Sequence, residues 1–271
     1  METPKLKNII LLILVITNIC LLILVGQSEW KDDYLNWQAR TEAINFLNRK
    51  QVKVDGDSIP REIQLQPFRT ERDLEREERL AVQLLGNAVE KESKGAGVYR
   101  YENERGFIQF HSDGAFQAEF VPGAFPVGED GARAGSALLE KLGFESRLER
   151  EEEGRRTFVQ LWQGDPLFIC QVTVEEEDGC LTALTSGRRL VGQPVQDSSR
   201  RTISVSTALI RLYNGINELG DVCSRIDKID AGYMTSSTLS GSMAVTPVWR
   251  ATTDTGLYQL DLVTGNLIRI S

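Results

Sequence analysis

Histidine is almost missing from this chain: His111 is the one copy in 271 residues. A Ser-His-Asp triad needs an imidazole base beside its nucleophile, and no glycine-flanked nucleophile elbow surrounds any serine. His111 would have to act alone on its expected strand, where a structural or exposed role is the plainer reading. Cysteine is scarce too. Of the four present, Cys20 lies in an apolar run, leaving Cys170, Cys180 and Cys223. An odd number of this size excludes a disulfide-built scaffold. A two-residue turn at Asp178-Gly179 sets Cys180 opposite Glu177 and leaves Cys170 well down its strand, so a Cys170–Cys180 bridge fits poorly. A bridge from Cys223 to either of them and three buried thiols both remain open.

Other chemistries lack their residues as well. Cys170 and Cys180 have no histidine nearby and no zinc-ligand spacing. Gly95-Ala96-Gly97 lacks the third glycine and following helix of a phosphate-cradling loop. The acidic stretches Glu151–Glu153 and Glu175–Asp178 lack the alternating ligands of a calcium loop and read as charged hairpin tips. No catalytic residue, cofactor or metal site is assigned, and the chain reads as not an enzyme. A positive excess is missing too. The chain carries 31 bases against 39 acids; without Lys5, Lys7 and Glu2, residues 8–271 hold a net charge of −9. That excludes nucleic acid as a partner, because phosphate binding needs a basic footprint, and disfavours anionic lipid head groups.

What is present is an uncharged apolar run from Ile9 to Val25 with charge on both flanks. With its polar edges it spans residues 8–27, close to the roughly 20 residues needed to cross a bilayer core. It exceeds the apolar core of a signal peptide, and Val25-Gly26-Gln27 is a poor cleavage site, so an uncleaved anchor is expected. Lys5 and Lys7 before the run place residues 1–7 in the cytoplasm and the remainder outside, as a single-pass cell-membrane protein. Within the run, Thr17, Asn18 and Cys20 are candidates for contact with a neighbouring membrane helix, by polarity and size; a tolerated lone asparagine is the alternative. Trp30, Tyr34, Trp37 and Ile44 then recur at helical spacing. Trp30 and Tyr34 are candidate membrane-interface anchors, or the stripe packs on the first domain.

The rest predicts an α+β layout, in which repeated units of a helix and an antiparallel meander follow the membrane helix. Ile63–Gln66 reads as a short strand. Thr70 opens a helix with an acidic first turn that stops at Gly86. Val98–Tyr101, Phe107–His111 and Ala115–Val121 form a meander joined by tight turns. Pro122-Gly123 and Pro126-Val127-Gly128 mark a linker, dividing a first domain at 28–125 from a second at 126–271. Helices follow at Asp130–Leu142 and Ser204–Leu219. Strands close the chain at Ala244–Arg250, Tyr258–Leu262 and Leu267–Ile270, and Thr235–Ser242 reads as a polar loop.

Near the C-terminus stand Thr246-Pro247-Val248-Trp249-Arg250-Ala251-Thr252, Gly256-Leu257-Tyr258 and Val263-Thr264-Gly265-Asn266. These stretches, with the segment from Leu47 through Pro60 to Leu84-Leu85-Gly86 and the meander from Tyr101 to Phe120, resemble the YycI and YycH regulators of Gram-positive bacteria. The Trp-Arg and Thr-Gly pieces are also similar to PepSY-type domains. The resemblance implies a non-enzymatic, membrane-anchored regulator of a cell-wall-controlling sensor histidine kinase of the WalK (YycG) type. Its implied partners are that kinase and a YycH-type single-span protein, engaged through the membrane helix and the ectodomain. The PepSY-like features imply a second reading, an extracellular module that inhibits or chaperones a protease. Trp249 itself reads as core rather than as a ligand platform.

Overall fold

The computed structural model describes residues 14, 15, 17, 18, 34–87, 89–128, 130–237 and 242–270. The first helix, α1, is described over residues 34–49. The other three helices start at a side chain that accepts a backbone N–H otherwise left unpaired. Asp73 accepts from Arg76 at 2.8 Å and opens α2 (Leu74–Leu85). Asp130 accepts from Arg133 at 3.0 Å and opens α3 (Gly131–Lys141). Ser204 accepts from Thr207 at 3.2 Å and opens α4 (Val205–Glu218).

Strands fill the intervals. β1 (Lys53–Val54) and β2 (Phe68–Glu71) precede α2; β3 (Glu90–Gly95), β4 (Val98–Asn103), β5 (Gly106–Phe110) and β6 (Ala115–Phe120) follow it. After α3 come β7 (Ser146–Glu152), β8 (Arg155–Trp162), β9 (Asp165–Glu177) and β10 (Cys180–Arg188). Then β11 (Val195–Gln196) leads to α4, and β12 (Arg225–Ser237), β13 (Ser242–Thr253), β14 (Gly256–Asp261) and β15 (Leu267–Arg269) complete the chain.

Among the described residues, all fifteen strands join one hydrogen-bonded sheet whose main path runs β11-β2-β13-β12-β9-β10-β6-β5-β4-β3. The hinge of this path is a parallel contact between Tyr233 of β12 and Leu167 of β9. The short pair β1·β12 is parallel as well, and the remaining pairs are antiparallel, so the sheet is mixed. The outer strands β3 and β7 are charged and almost wholly exposed, a pattern that blocks edge-to-edge pairing. The β5 strand starts on Gly106 at φ +134°, where a Cβ would lie 2.2 Å from the Glu119 carbonyl oxygen, so only glycine fits.

Three apolar clusters follow from this layering. α2 and α3 bury Leu80, Leu84, Leu85, Leu138 and Leu139 against Tyr101, Phe110, Phe116 and Phe158. α1 and α4 bury Ala43, Leu47, Leu209, Leu212 and Ile216 against Trp249, Tyr258 and Leu260. Between them lie Leu167, Cys170, Leu190, Val191, Tyr233, Met243 and Val245.

These findings correct several expectations. The chain is not a series of separate helix-plus-meander units behind a membrane helix. β10 pairs with β6 across the expected unit boundary, and α2 and α3 share one core, so neither helix owns a meander. Among the described residues no helix is long and apolar enough to cross a membrane. At 14 residues α4 spans about 21 Å, short of the roughly 30 Å hydrocarbon core. The expected single-pass cell-membrane placement is corrected by that finding; apart from residues 14, 15, 17 and 18, the segment 8–27 lies outside the described residues. The helix expected from Thr70 starts at Leu74, because residues 68–71 are drawn into a strand against β13. Residues 63–66 form no strand, and Thr235–Ser237, expected in a loop, extend β12.

One buried charge ties these layers together. Glu77 of α2 is fully buried and accepts from Arg72 at 2.8 and 3.0 Å and from Arg189 at 2.7 Å. Arg72 follows β2 and Arg189 follows β10, so the cluster pins α2 to both halves of the sheet. Removing one partner leaves buried guanidinium charge uncompensated, at about 3–5 kcal/mol. Glu77→Ala is therefore expected to lower unfolding stability in urea by about 3–5 kcal/mol, and a loss below about 1 kcal/mol would contradict this assignment.

A second tie is exposed. Asp254, after β13, accepts from the backbone N–H groups of Ser224 and Arg225 at 3.1 Å and from the Ser224 hydroxyl. That hydroxyl chiefly, with the two N–H groups, holds its carboxyl at about 2, below the ordinary 3.8. A depressed carboxyl stabilises the fold above its unfolded pKa, and the gain is lost as pH falls through the folded one. Urea midpoints of the native chain and Asp254→Asn are expected to converge as pH falls from about 4 to about 2. A gap independent of pH would contradict it.

Candidate functional site

The apolar stripe of α1 divides. Its C-terminal half packs inward through Ala43 and Leu47, and Phe46 meets Tyr213 of α4 edge-on with ring centres 5.7 Å apart. Its N-terminal half faces outward: Tyr34 is 62% exposed, Leu35 50% and Trp37 59%. The Tyr34 and Trp37 rings lie 6.2 Å apart. Large apolar side chains grouped in solvent on an otherwise polar surface mark contact sites.

The facing wall is the chain from Gly56 to Glu62. Arg40 fixes it from α1, donating from Nη2 to the carbonyls of Gly56 (2.6 Å) and Ile59 (3.0 Å) and from Nε to that of Pro60 (3.2 Å). Asp55 accepts the Asp57 N–H at 3.0 Å and closes the short turn at Gly56–Ser58. Ile59 is buried in the α1–α4 core. A guanidinium donating to three carbonyls shapes the groove and keeps its positive charge beside it.

Between these walls lies an open groove of about 960 Å³ lined by Trp37, Arg40, Pro60, Arg61 and Glu62 among others. It continues past Arg61 and Glu62 into a further 310 Å³ beside Thr202–Ser206, at the start of α4. The same segment also lines a 370 Å³ hollow that reaches Asp165, Ala231 and Trp249. Burial pushes the Asp165 carboxyl up. Arg61 and Glu62 thus line all three hollows. The size suits a polypeptide segment, and the open, mixed polar and aromatic lining is that of a protein interface rather than of an enclosed small-molecule pocket.

Of the residues singled out in the sequence, Tyr34 stands beside Trp37, which lines the groove. Thr17 and Asn18 are helical and exposed. Cys20 and Trp30 lie outside the described residues. His111 sits half-buried just beyond β5, its Nε2 3.0 Å from the Gln109 amide nitrogen. Trp249 is buried in the α1–α4 core, and the guanidinium of Arg250, whose pKa is lowered by burial, lies 4.0 Å from the Phe168 ring centre. Cys170, Cys180 and Cys223 are free thiols, and burial pushes those of Cys170 and Cys223 up to about 11. Among the described residues no group of three His, Cys, Asp or Glu side chains converges as a metal site would require. Arg40 was missed by the sequence reading. Its signal was a charge three residues after Trp37 on an apolar stripe, which demands a partner.

No family model matches the chain, and no curated protein matches it. Solved structures do. An uncharacterized protein from Eubacterium rectale ATCC 33656 is similar at 10% identity with a TM-score of 0.43, over 81% of this chain and 90% of that one. The C-terminal domain of Bacillus megaterium YpeB is similar at 13% identity with a TM-score of 0.37, over 74% of this chain and 99% of that one. Both TM-scores lie below 0.5, so neither likeness fixes a fold or a function for this chain.

Proposed function

We propose that this chain is a non-enzymatic regulator that works by binding another protein, and that its partner is a cell-wall sensor histidine kinase of the WalK (YycG) type. The observation that carries the binding role is the exposed Tyr34–Leu35–Trp37 patch opening onto the groove between α1 and residues 56–62. Exposed tryptophan and tyrosine are the side chains that most often dominate an interface once buried. The Arg40 bonds hold the facing wall in place before a partner arrives, which reduces the ordering cost of association. The partner's identity rests on the resemblance of residues 246–266 to YycI-type regulators.

Titration of the full chain with the extracellular domain of such a kinase tests the reading. A one-to-one complex is expected, weakened at least about tenfold by Trp37→Ala, which is about 1.4 kcal/mol. The substitution is expected to leave stability nearly unchanged, because Trp37 is largely exposed. No complex, or one indifferent to Trp37, overturns the reading. Binding and slowing of a secreted protease instead would replace it with the protease-inhibitor reading.

A further inference from the structure

Arg40 holds the groove wall with only part of its donors. Its Nε and Nη2 hydrogens go to the carbonyls of Pro60, Gly56 and Ile59. Its Nη1 bonds nothing among the described residues and is reached by solvent. The side chain lines the open groove of about 960 Å³, and no carboxylate pairs with it among the described residues. Backbone carbonyls orient a guanidinium but leave its positive charge in place. The donor is therefore aimed and charged before a partner arrives, and its own ordering costs nothing on binding.

The rest of the lining decides what such a donor takes. Asp57, Arg61 and Glu62 line the same groove but are exposed. Exposed charges move freely and are screened by salt within about 10 Å. Arg40 is half-buried and pinned, so its charge is the fixed one. The two acids weigh against a dianion, and a single carboxylate meets the least repulsion.

Trp37 sets a second requirement. It is 59% exposed and stands three residues before Arg40 on α1, a spacing that puts the two Cβ atoms about 5–6 Å apart. Alternate residues of an extended segment, at about 3.3 Å per residue, lie roughly 7 Å apart on one side. An apolar side chain and a carboxylate two positions apart on such a segment therefore meet the ring and the guanidinium together.

We propose that the groove selects a partner segment carrying an aspartate or glutamate two positions from an apolar residue, with the carboxylate on Arg40 Nη1 and the apolar side chain on Trp37. This rests on the reading of the groove as the partner-binding site and names the chemistry it recognises.

Calorimetric titration of the full chain with end-blocked peptides tests it. The probes are acetyl-Gly-Leu-Gly-Glu-Gly-amide and the same peptide with glutamine or lysine in place of glutamate. The glutamate peptide is expected to bind at about 1 mM, roughly tenfold more tightly than the glutamine peptide, with lysine weakest. That preference is expected to shrink as salt rises from about 50 to about 500 mM. Trp37→Ala is expected to weaken the glutamate and glutamine peptides alike, and Arg40→Met, which keeps the stem without the charge, to remove the preference between them. No binding of the glutamate peptide at about 10 mM, equal binding of glutamate and glutamine peptides to the native chain, or a preference that survives Arg40→Met overturns the proposal. The native comparison stands even if Arg40→Met loosens the wall. A kinase domain that fails to bind while the glutamate preference holds overturns the partner named above and supports this site; one that binds through Trp37 with no glutamate preference does the reverse.

Discussion

The structure depends on one buried carboxylate. Glu77 has no solvent to hold its charge, so Arg72 and Arg189 must both reach it. Those arginines come from the exits of β2 and β10, strands in different halves of the sheet. Satisfying Glu77 therefore sets where α2 lies, how the chain leaves β10, and how the two halves meet over the Leu167–Tyr233 contact. An apolar replacement of the cluster could be as stable, but it would not specify that geometry. Arg72 reinforces it by donating to the Gly97 and Phe110 carbonyls, and Arg189 by stacking 4.4 Å from the Phe110 ring centre.

Much of the local structure was legible because it depends on neighbours in sequence. Asp130 and Ser204 cap helices where a short polar side chain precedes an apolar period. Cys180 faces Glu177 across the Asp178-Gly179 turn, as a two-residue turn requires. The meander through β4, β5 and β6 follows from alternation broken by Asn103–Gly106 and Ser112–Gly114. Trp249 is core, as a tryptophan on a terminal strand usually is.

What was not legible depends on distant partners. Thr70 and Glu71 read as the start of a helix, yet their backbone completes a sheet with β13. β3 is entirely polar, and only its pairing with β4 makes it a strand. Glu77 in the first turn of a helix looks like a dipole-complementing surface charge; nothing nearby announces that two arginines will bury it. The groove was half visible. The stripe of α1 was read, but not its division into a packed half at Ala43–Leu47 and an exposed half at Tyr34–Trp37. The rigid wall at residues 56–60 owes its shape to Arg40, whose three acceptors lie 16 to 20 residues away.

The central claim is that the Glu77 cluster and the continuous sheet make the two helical layers one cooperative body. Native-state hydrogen exchange across a urea series tests it most directly. The account predicts that the core amides of β4–β6 and of β12–β14 share one opening free energy and one denaturant dependence. Two sets of core amides, with the α4 layer opening at distinctly lower free energy and a smaller denaturant slope, would contradict it.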